Sequence, residues 1–287
     1  MAKRWFFVPT LLIVFALAVD SMLQWRQSHN LGWALPFAAL MTLPMFLGAL
    51  MTLAPVARTS RSLVVLWAIP LVLVSLVPLV FGASSARPMG YATVGLIACL
   101  VYVFWYSTLG RQASGAIEPG KMLPDFTLRN LAGDVVRGHS YRGQPAVFLF
   151  IRGNWCPLCI AQVREISGLY KKLSARGVKV ALISPQPSTE TEALAKRFEV
   201  QFDYLVDENA EAARALGIFH AGGTPAGIGL LYRGVHEDTV YPTVVVTDAN
   251  GVVLFADQTD NYRVRPEPET FLAVLDEATR RRHHASI

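Results

Sequence analysis

Two cysteines three residues apart are the part of this 287-residue chain best suited to chemistry. Cys156 and Cys159 lie in the segment Trp-Cys-Pro-Leu-Cys, which follows an apolar run at 146–151 and opens a stretch with helical apolar spacing. A cysteine pair at a strand-to-helix junction can close a small disulfide and reopen it. The spacing therefore predicts reversible dithiol chemistry.

The predicted junction also indicates how the two thiols differ. A helix N-terminus presents unpaired amide groups and a partial positive charge, which stabilise a thiolate. We expect Cys156 at that N-terminus, with Pro157 in the first helical turn, and therefore a pKa of Cys156 below the ordinary value of about 8.5. Cys159, one turn later, is expected to be more buried and to resolve the mixed disulfide that Cys156 forms. Arg152 is a candidate for electrostatic stabilisation of the thiolate, or an ordinary solvated arginine.

Zinc binding is the main alternative for a cysteine pair. A structural zinc site needs four ligands, usually from two pairs. The only other cysteine, Cys99, lies in an apolar stretch, where a small buried side chain is ordinary. His220 and His236 are possible further ligands but more often ordinary loop residues, so we expect neither a metal nor a cofactor. A count of three cysteines also excludes a disulfide-stapled secreted scaffold.

The N-terminal part of the chain has the hydropathy of a membrane protein. Hydrophobic residues make up 53% of the sequence, and the mean hydropathy is +0.37. A helix of about 20 apolar residues crosses a hydrocarbon core of about 30 Å. We therefore predict an all-α bundle of four transmembrane helices within residues 1–110, held in a lipid bilayer. The four apolar stretches are 5–24, 32–54, 62–82 and 90–109.

Charge is distributed unevenly along the chain. Residues 1–115 hold seven of the 26 Lys and Arg residues and one of the 21 Asp and Glu residues, which leaves 19 bases and 20 acids in the remainder. The basic excess lies beside the apolar stretches, where it sets membrane topology, and it does not indicate nucleic-acid binding. With the N-terminus inside, five basic residues (Lys3, Arg4, Arg58, Arg61, Arg111) lie inside and two (Arg26, Arg87) outside. This multi-pass topology predicts a C-terminal domain on the cytoplasmic side, with the extracytoplasmic side as the alternative.

Residues 111–123 are small, polar and rich in Gly and Pro, which is typical of a linker. Residues 124–287 then predict a separate α/β domain, because strand and helix patterns alternate and end in an Asn-Gly hairpin followed by an amphipathic helix. The aperiodic, Gly-rich residues 217–240 indicate a loop, a lid or a tolerated insertion. The expected strands are 126–128, 135–136, 146–151, 178–183, 202–206, 243–247 and 252–256, and the expected helices are 159–175, 189–198, 210–216 and 267–281.

The motif and its surroundings resemble the thioredoxin superfamily, and within it the redoxin branch of alkyl hydroperoxide reductase/thiol-specific antioxidant-like domains. The resemblance is carried by the Trp-Cys-Pro-x-Cys motif after a strand, by the opening Leu-Pro-Asp-Phe-Thr-Leu at 123–128, and by Tyr-Pro-Thr at 241–243. It covers about residues 120–280. It implies a thioredoxin-like mixed sheet flanked by helices, and a redox enzyme that exchanges electrons with protein or small-molecule disulfide or thiol substrates and with a redox partner.

The resemblance also implies a substrate-docking edge. The Tyr241–Pro242 bond is expected to be cis and to lie beside the dithiol, where the backbone before the proline pairs with a substrate strand. Trp155, Pro157, Tyr241 and Pro242 are accordingly expected to contact the substrate. From the residues alone, an X-Pro bond is usually trans.

Two departures from the superfamily affect the expected activity. Thioredoxins carry a buried acid late in the strand before the motif, and the strand at 147–151 supplies none. Peroxiredoxins use Pro-x-x-x-Thr/Ser-x-x-Cys, and neither Cys156 nor Cys159 is preceded by that pattern. The leading hypothesis is therefore a membrane-anchored thiol–disulfide oxidoreductase. A thiol-dependent peroxidase is the alternative enzyme, and a non-catalytic membrane redox sensor or scaffold is the alternative from another class.

Overall fold

The computed structural model describes residues 2–53 and 56–285, which form two compact units. The N-terminal unit is made of four helices that are each, with their flanking turns, long and apolar enough to cross a membrane. The predicted count of four such helices is therefore confirmed. The helices are α1 (Phe7–Ser28), α2 (Ala34–Thr52), α3 (Val64–Phe81) and α4 (Ala86–Val101), and a π-helical turn (Tyr102–Tyr106) extends the last.

Two helices of the bundle approach each other closely at a glycine. A Cβ atom at Gly95 of α4 would lie 2.5 Å from the carbonyl oxygen of Ala39 in α2, so glycine is what allows these two backbones to approach. Away from the packed faces the helices are apolar and exposed, as at Val65 (70%) and Leu79 (80%). An exposed apolar surface of this kind suits lipid rather than water.

One polar cluster ties α1 to α4. Arg87 forms an ion pair with Asp20 at 2.8 Å, and the Tyr91 hydroxyl donates to the same carboxylate at 2.7 Å. The guanidinium also lies 5.9 Å from the centroid of the Trp33 ring. The cluster supplies a partner for the acidic side chain of α1, which an isolated apolar helix would lack.

The C-terminal unit is a seven-stranded mixed sheet flanked by helices, as predicted. The strand order is β2-β1-β5-β4-β3-β8-β9, with β3, β4 and β5 parallel and the other pairings antiparallel. In chain order its elements are β1 (Thr127–Asn130), β2 (Val135–Arg137), β3 (Ala146–Phe150), α5 (Pro157–Ser174), β4 (Lys179–Ser184), α6 (Ser188–Phe198), β5 (Asp203–Val206), α7 (Glu211–Ala215), a separate hairpin of β6 (Phe219–His220) and β7 (Thr239–Val240), then β8 (Thr243–Thr247), β9 (Val253–Asp257) and α8 (Pro268–Ala285).

Strand β3 is the centre of this sheet and positions the cysteine motif. All five of its residues are buried, which explains why its sequence is a continuous apolar run rather than an alternating one. Phe150 at its end pairs with Ile183 of β4 on one side and with Thr243 of β8 on the other. The loop that follows β3 and the Tyr-Pro segment that precedes β8 therefore lie at the same end of the sheet.

Two segments differ from the expectation based on composition. Residues 217–240 are not purely loop, because they contain the β6–β7 hairpin and a 3-10 turn at Ile228–Leu230. Residues 111–123, expected to be a linker, pack on the C-terminal unit: the Ser114 amide donates to Gln258 at 2.6 Å, and Ile117 is fully buried in the core. Backbone hydrogen bonds hold this segment, and its small, polar residues give no sequence pattern that reveals them.

Candidate functional site

The cysteine pair lies at the start of α5, where it was predicted. Cys156 is the N-cap residue, with extended backbone angles, and Pro157 occupies the first helical position. Proline suits that position because its fixed φ matches the helix and the missing N–H would have no partner there. The Cys156 carbonyl accepts from the Ile160 amide at 3.1 Å, which begins the helix, and Cys159 follows within the first turn.

The two thiols are reduced, buried and hydrogen-bonded to each other. Cys156 is 2% exposed and Cys159 is 0% exposed, so the expectation of a deeper second cysteine holds only by a small margin. Because the sulfur atoms are already in contact, a disulfide between them requires little rearrangement. Their burial means that a bulky partner reaches them only when neighbouring residues move.

The electrostatics of the pair are the reverse of the expectation. Burial acts to raise the pKa of Cys159, but a hydrogen bond from Cys156, the charge of Arg265 and the backbone N–H of Arg152 outweigh it and lower the pKa to about 5. The hydrogen bond to Cys159, together with burial, raises the pKa of Cys156 well above its usual value. The Cys156 side chain makes no capping hydrogen bond to the helix N-terminus, so the stabilisation anticipated there is missing.

Arg265 supplies the cation at this site. Its Nη2 lies 3.5 Å from Cys159 Sγ, its Nη1 donates to Gln162 Oε1 at 2.5 Å, and its Nε donates to the Tyr262 carbonyl at 3.1 Å. The side chain comes from the segment between β9 and α8. Sequence reasoning assigned that segment a structural role and missed the arginine. The available signal was a basic residue in the stretch that precedes the closing helix of a redox domain.

Arg152, the arginine that the sequence did single out, packs on the tryptophan of the motif. Its guanidinium carbon is 4.7 Å from the centroid of the Trp155 ring, and its Nη2 donates to the Gly223 carbonyl. It is 6% exposed and is therefore not a solvated loop residue. Its charge lowers the pKa of both thiols, but less than Arg265 does.

Trp155 and the residues around it are locked in place. The ring is 7% exposed beneath Arg152, so this side chain offers little surface to a substrate in the present conformation. Gly153 has a φ of +140°, and a Cβ atom there would lie 2.6 Å from Gln186 Oε1 and 2.7 Å from Trp155 Nε1. The loop before Cys156 therefore requires glycine at this point.

The Tyr241–Pro242 segment reaches the same end of the sheet, but not in the expected form. Among the described residues no peptide bond is cis, so this bond is trans, which is the intrinsically favoured isomer. The Tyr241 carbonyl accepts from the Thr243 hydroxyl at 2.8 Å, and the Pro242 carbonyl accepts from Arg111 at 3.3 Å. The expectation of a cis bond with a free backbone edge is therefore wrong for this conformation.

Aromatic and cationic groups surround the Tyr241 ring. His220 stacks on it with ring centroids 4.2 Å apart, and the Arg111 guanidinium lies 5.4 Å from its centroid. The ring stays half-buried, as does Pro157 at the start of α5. These two residues are the most exposed of the four that were expected to contact a substrate.

The described residues contain no group of three or more His, Cys, Asp and Glu side chains arranged to hold a metal ion. What they contain is a hydrogen-bonded thiol–thiolate pair beside two arginines. Such an arrangement can undergo thiol–disulfide exchange, since the thiolate is the reactive form of cysteine.

Known proteins with related sequences fit this chemistry. Residues 119–256 match the AhpC/TSA family. The thiol-disulfide oxidoreductase ResA of Geobacillus thermodenitrificans is 29% identical over 124 residues, which cover 43% of this chain and 70% of that protein. Chloroplastic peroxiredoxin Q of Triticum aestivum is 28% identical over 104 residues, which cover 36% of this chain and 48% of that protein. The crystal structure of peroxidoxin BcpB from Mycobacterium tuberculosis aligns with a TM-score of 0.47 and 19% identity, over 56% of this chain and 97% of that one.

The fold and the sequence matches define the C-terminal unit as a redox enzyme domain of the thioredoxin-like class. More specifically, residues 119–256 form an AhpC/TSA redoxin domain. The four apolar helices that precede it lie outside the matched region.

Proposed function

We propose that this protein is a membrane-anchored thiol–disulfide oxidoreductase in which Cys156 and Cys159 form the redox-active pair. The observation that carries the proposal is the hydrogen-bonded pair at the start of α5, in which Cys159 is ionised at neutral pH and Cys156 holds the proton. Its oxidised form is the Cys156–Cys159 disulfide. The substrates are disulfides or thiols of proteins or small molecules, and a second redox partner regenerates the pair.

The Cys159 thiolate acts as the base in the first step. As Cys156 Sγ attacks a substrate disulfide, its proton moves along the existing hydrogen bond to Cys159, and one substrate sulfur leaves as a thiolate. Cys156 is then joined to the other substrate sulfur. We assign Cys156 as the nucleophile because it is the N-cap residue of α5 and is bonded to the partly exposed Pro157.

The second step releases the substrate. The proton on Cys159 passes to the departed thiolate, and Cys159 attacks Cys156 Sγ, which expels the second substrate sulfur as a thiolate. Two electrons have moved from the dithiol to the substrate, and the proton first held by Cys156 ends on one substrate thiol. In a reducing cytoplasm the pair is kept reduced and so donates electrons in this direction.

Substrate docking is assigned to the residues around the pair. Pro157 and Tyr241 present partly exposed surface, while Trp155 and Pro242 are buried. Arg152 covers Trp155 and contributes positive charge. Because both sulfur atoms are buried, docking of a protein disulfide requires the loop before Cys156 to move outward.

A trapping experiment tests the division of labour. In a Cys159→Ser variant the second step cannot occur, so mixed disulfides to Cys156 are expected to accumulate on incubation with oxidised substrate proteins, and mass spectrometry identifies the linked residue. The Cys156→Ser variant is the matched control and is expected to trap much less. Equal trapping by both variants, or by neither, contradicts the assignment.

Peroxide reduction is a second candidate, favoured by the contact between the Cys159 sulfur and Arg265 and by the match to peroxiredoxin Q. A hydroperoxide needs a smaller opening than a protein disulfide to reach the buried Cys159 thiolate. The Cys159 thiolate would attack one peroxide oxygen, the O–O bond would break, and the other oxygen would leave as water or an alcohol after taking the proton of Cys156. The Cys156 thiolate would then displace hydroxide from the Cys159 sulfenic acid to form the disulfide. Rapid sulfenic acid formation on hydroperoxide addition, in a Cys156→Ser variant, supports this activity, and its absence excludes it.

The N-terminal unit is assigned as the anchor. Residues 1–110 would hold the protein in the bilayer as four transmembrane helices, and residues 124–287 would form the redox domain, joined by the segment at 111–123. The loop charges favour a redox domain on the cytoplasmic side of the membrane.

A further inference from the structure

Arg111 is a buried cation beside the Tyr241–Pro242 segment. The residue is 8% exposed, although in the sequence it counts only among the loop charges that set membrane topology. Its Nη1 donates to the Pro242 carbonyl at 3.3 Å, and its guanidinium carbon lies 5.4 Å from the centroid of the Tyr241 ring. In the part of the chain that the structure describes, its Nε and Nη2 are buried and have no hydrogen-bond partner.

The two nitrogens without a partner form one edge of the guanidinium. The N–H bonds of this edge point in the same direction, so the edge can donate two parallel hydrogen bonds to the two oxygens of one carboxylate. A buried donor without an acceptor is unfavourable, and buried polar groups in native proteins are nearly always paired. The unused edge of Arg111 therefore indicates an anionic ligand.

The acidic side chains nearby do not fill this edge. The carboxylates of Asp257 and Asp260 lie close enough to attract the charge of Arg111. Asp257 instead accepts from the Thr259 hydroxyl at 2.6 Å. Asp260 accepts from the backbone N–H of Arg111 at 2.7 Å and not from its side chain. Burial outweighs the attraction of both carboxylates and lowers the pKa of Arg111, so the charge of the cation is incompletely compensated.

Arg111 lies at the end of the sheet that carries the dithiol. The Pro242 carbonyl to which it donates directly precedes β8. Thr243, which opens β8, pairs with Phe150 at the end of β3, and the loop after β3 leads to Cys156. A substrate anchored on Arg111 is therefore held at the same end of the sheet as the reacting sulfur.

The hydrogen-bonding backbone groups of the Tyr241–Pro242 segment already have partners. The Tyr241 N–H donates to the Ile218 carbonyl at 2.8 Å, and the Tyr241 carbonyl accepts from the Thr243 hydroxyl at 2.8 Å. Pro242 has no N–H, and its carbonyl accepts from Arg111. An extended polypeptide therefore cannot pair with this segment as a strand without displacing these bonds. Recognition through a side chain is the route that this conformation leaves open.

We propose that the Nε and Nη2 edge of Arg111 binds the carboxylate of a small substrate, and that the protein reduces low-molecular-weight disulfides that carry a carboxylate. This assignment rests on the proposed function, because the same dithiol reduces the substrate. Since the edge is buried, a neighbouring group such as the half-buried Tyr241 ring moves aside when the ligand enters.

The carboxylate takes no part in the redox step. The substrate S–S bond breaks, the Cys156–Cys159 bond forms, and the two halves of the substrate leave as one thiol and one thiolate. Two electrons pass from the dithiol to the substrate, and the proton held by Cys156 goes to one half. Arg111 gives up no proton, since guanidinium groups stay protonated in proteins. Its contribution is to hold the substrate in position.

The test follows oxidation of the reduced full-length protein, in a neutral detergent, by three disulfides that differ in charge. Dithiodiglycolate carries a carboxylate at each end, bis(hydroxyethyl) disulfide is neutral and cystamine is cationic. Alkylation of the remaining thiols and mass spectrometry give each rate, which is divided by the rate of the same disulfide with dithiothreitol to correct for intrinsic reactivity. We expect a corrected preference for dithiodiglycolate over the neutral disulfide of about 10- to 100-fold, the range for a hydrogen bond to a charged group.

Substitution of Arg111 separates anchoring from chemistry. In Arg111→Met, the concentration that half-saturates the rate is expected to rise about 10- to 100-fold more for dithiodiglycolate than for the neutral disulfide. Arg111→Lys keeps the charge but loses the paired donors, so a smaller rise is expected. Arg129→Met is the matched control, because it removes an exposed arginine of β1, and it is expected to keep the preference of the unaltered protein.

Two outcomes overturn the substrate assignment. The first is an equal corrected rate for all three disulfides with the unaltered protein, a comparison that does not depend on the folding of any variant. The second is a preference for dithiodiglycolate that persists in Arg111→Met, because the carboxylate is then recognised elsewhere. Both outcomes leave the proposed function intact, whereas absence of oxidation by any of the disulfides overturns the proposed function and the substrate assignment with it.

Discussion

Gly153 shows how tightly the loop before the dithiol is constrained at the scale of single residues. Its φ of +140° is open to glycine and strained for other residues, and a side chain there would collide with Gln186 and Trp155. We therefore expect Gly153→Ala to lower the free energy of unfolding by about 1–3 kcal/mol, the usual cost of such backbone strain. Denaturant unfolding of the purified protein measures it.

Gly168 provides the matched control for that substitution. It lies in α5, and no atom would come within 4 Å of an added Cβ. Gly168→Ala is accordingly expected to stabilise the protein by about 0.5–1 kcal/mol through the higher helix propensity of alanine. If the two substitutions have the same effect, the loop is not strained in the manner described.

The charge on Cys159 makes the stability of the reduced protein depend on pH. An unfolded chain keeps the proton on this thiol up to about pH 8.5, whereas the folded chain releases it above about pH 5. The unfolded state thus binds more protons across this range, so the free energy of unfolding rises with pH between these two limits. The raised pKa of Cys156 adds nothing there, because that thiol is protonated in both states.

Comparison of the two oxidation states isolates the effect. In the disulfide form neither cysteine titrates. The thermal midpoint of the reduced protein is therefore expected to rise relative to that of the oxidised protein as the pH rises. Near-ultraviolet circular dichroism at several pH values follows both forms. Parallel pH profiles for the two forms would contradict an ionised Cys159.

At the scale of elements, the β6–β7 segment holds the loop that leads to Cys156. The Thr239 hydroxyl donates to the Arg152 carbonyl at 2.9 Å, and Gln186 beside the loop donates to the Arg233 carbonyl at 3.1 Å. These contacts connect residues 219–240 to the site without any of them touching the reacting sulfur. The segment is therefore a natural restraint on access to the dithiol.

Removal of one contact tests this restraint. Thr239→Val deletes a buried hydrogen bond worth about 1 kcal/mol net, so the rate at which a small alkylating reagent modifies the Cys156–Cys159 pair is expected to rise about fivefold. Thr279→Val removes a similar hydroxyl–carbonyl bond in α8 and is expected to leave the rate unchanged. An equal rise in both variants would indicate general loosening rather than a local restraint.

The elements were largely predictable from the sequence because their signals are local. Apolar runs and Pro157 mark β3 and the start of α5 within a few residues, and the structure agrees with both. The contact between Arg265 and Cys159 joins residues 106 positions apart, and no local pattern reveals it. The same limit applies to the ionisation of the two cysteines. Their spacing identifies a dithiol, but which sulfur is ionised depends on charged groups that are distant in sequence and close in the fold.

At the scale of the whole molecule, the loop charges predict the side of the membrane on which the redox domain lies. A chain with its own cysteines replaced by serine can carry Val135→Cys, at a position 53% exposed in the redox domain. An impermeant maleimide is expected to label it only after the cells are permeabilised.

Ala83→Cys is the control, because this exposed residue lies in the loop between α3 and α4 on the opposite predicted side. It is expected to react in intact cells. The reverse labelling pattern would move the redox domain to the extracytoplasmic side.

The late position of Arg265 has a consequence for biosynthesis. Both cysteines leave the ribosome long before the arginine is translated, since 106 residues separate Cys159 from it. A nascent chain therefore carries the pair without the cation that favours its ionised state. The lowered pKa of Cys159 is therefore expected only after the segment that carries Arg265 has docked, late in the synthesis of the domain.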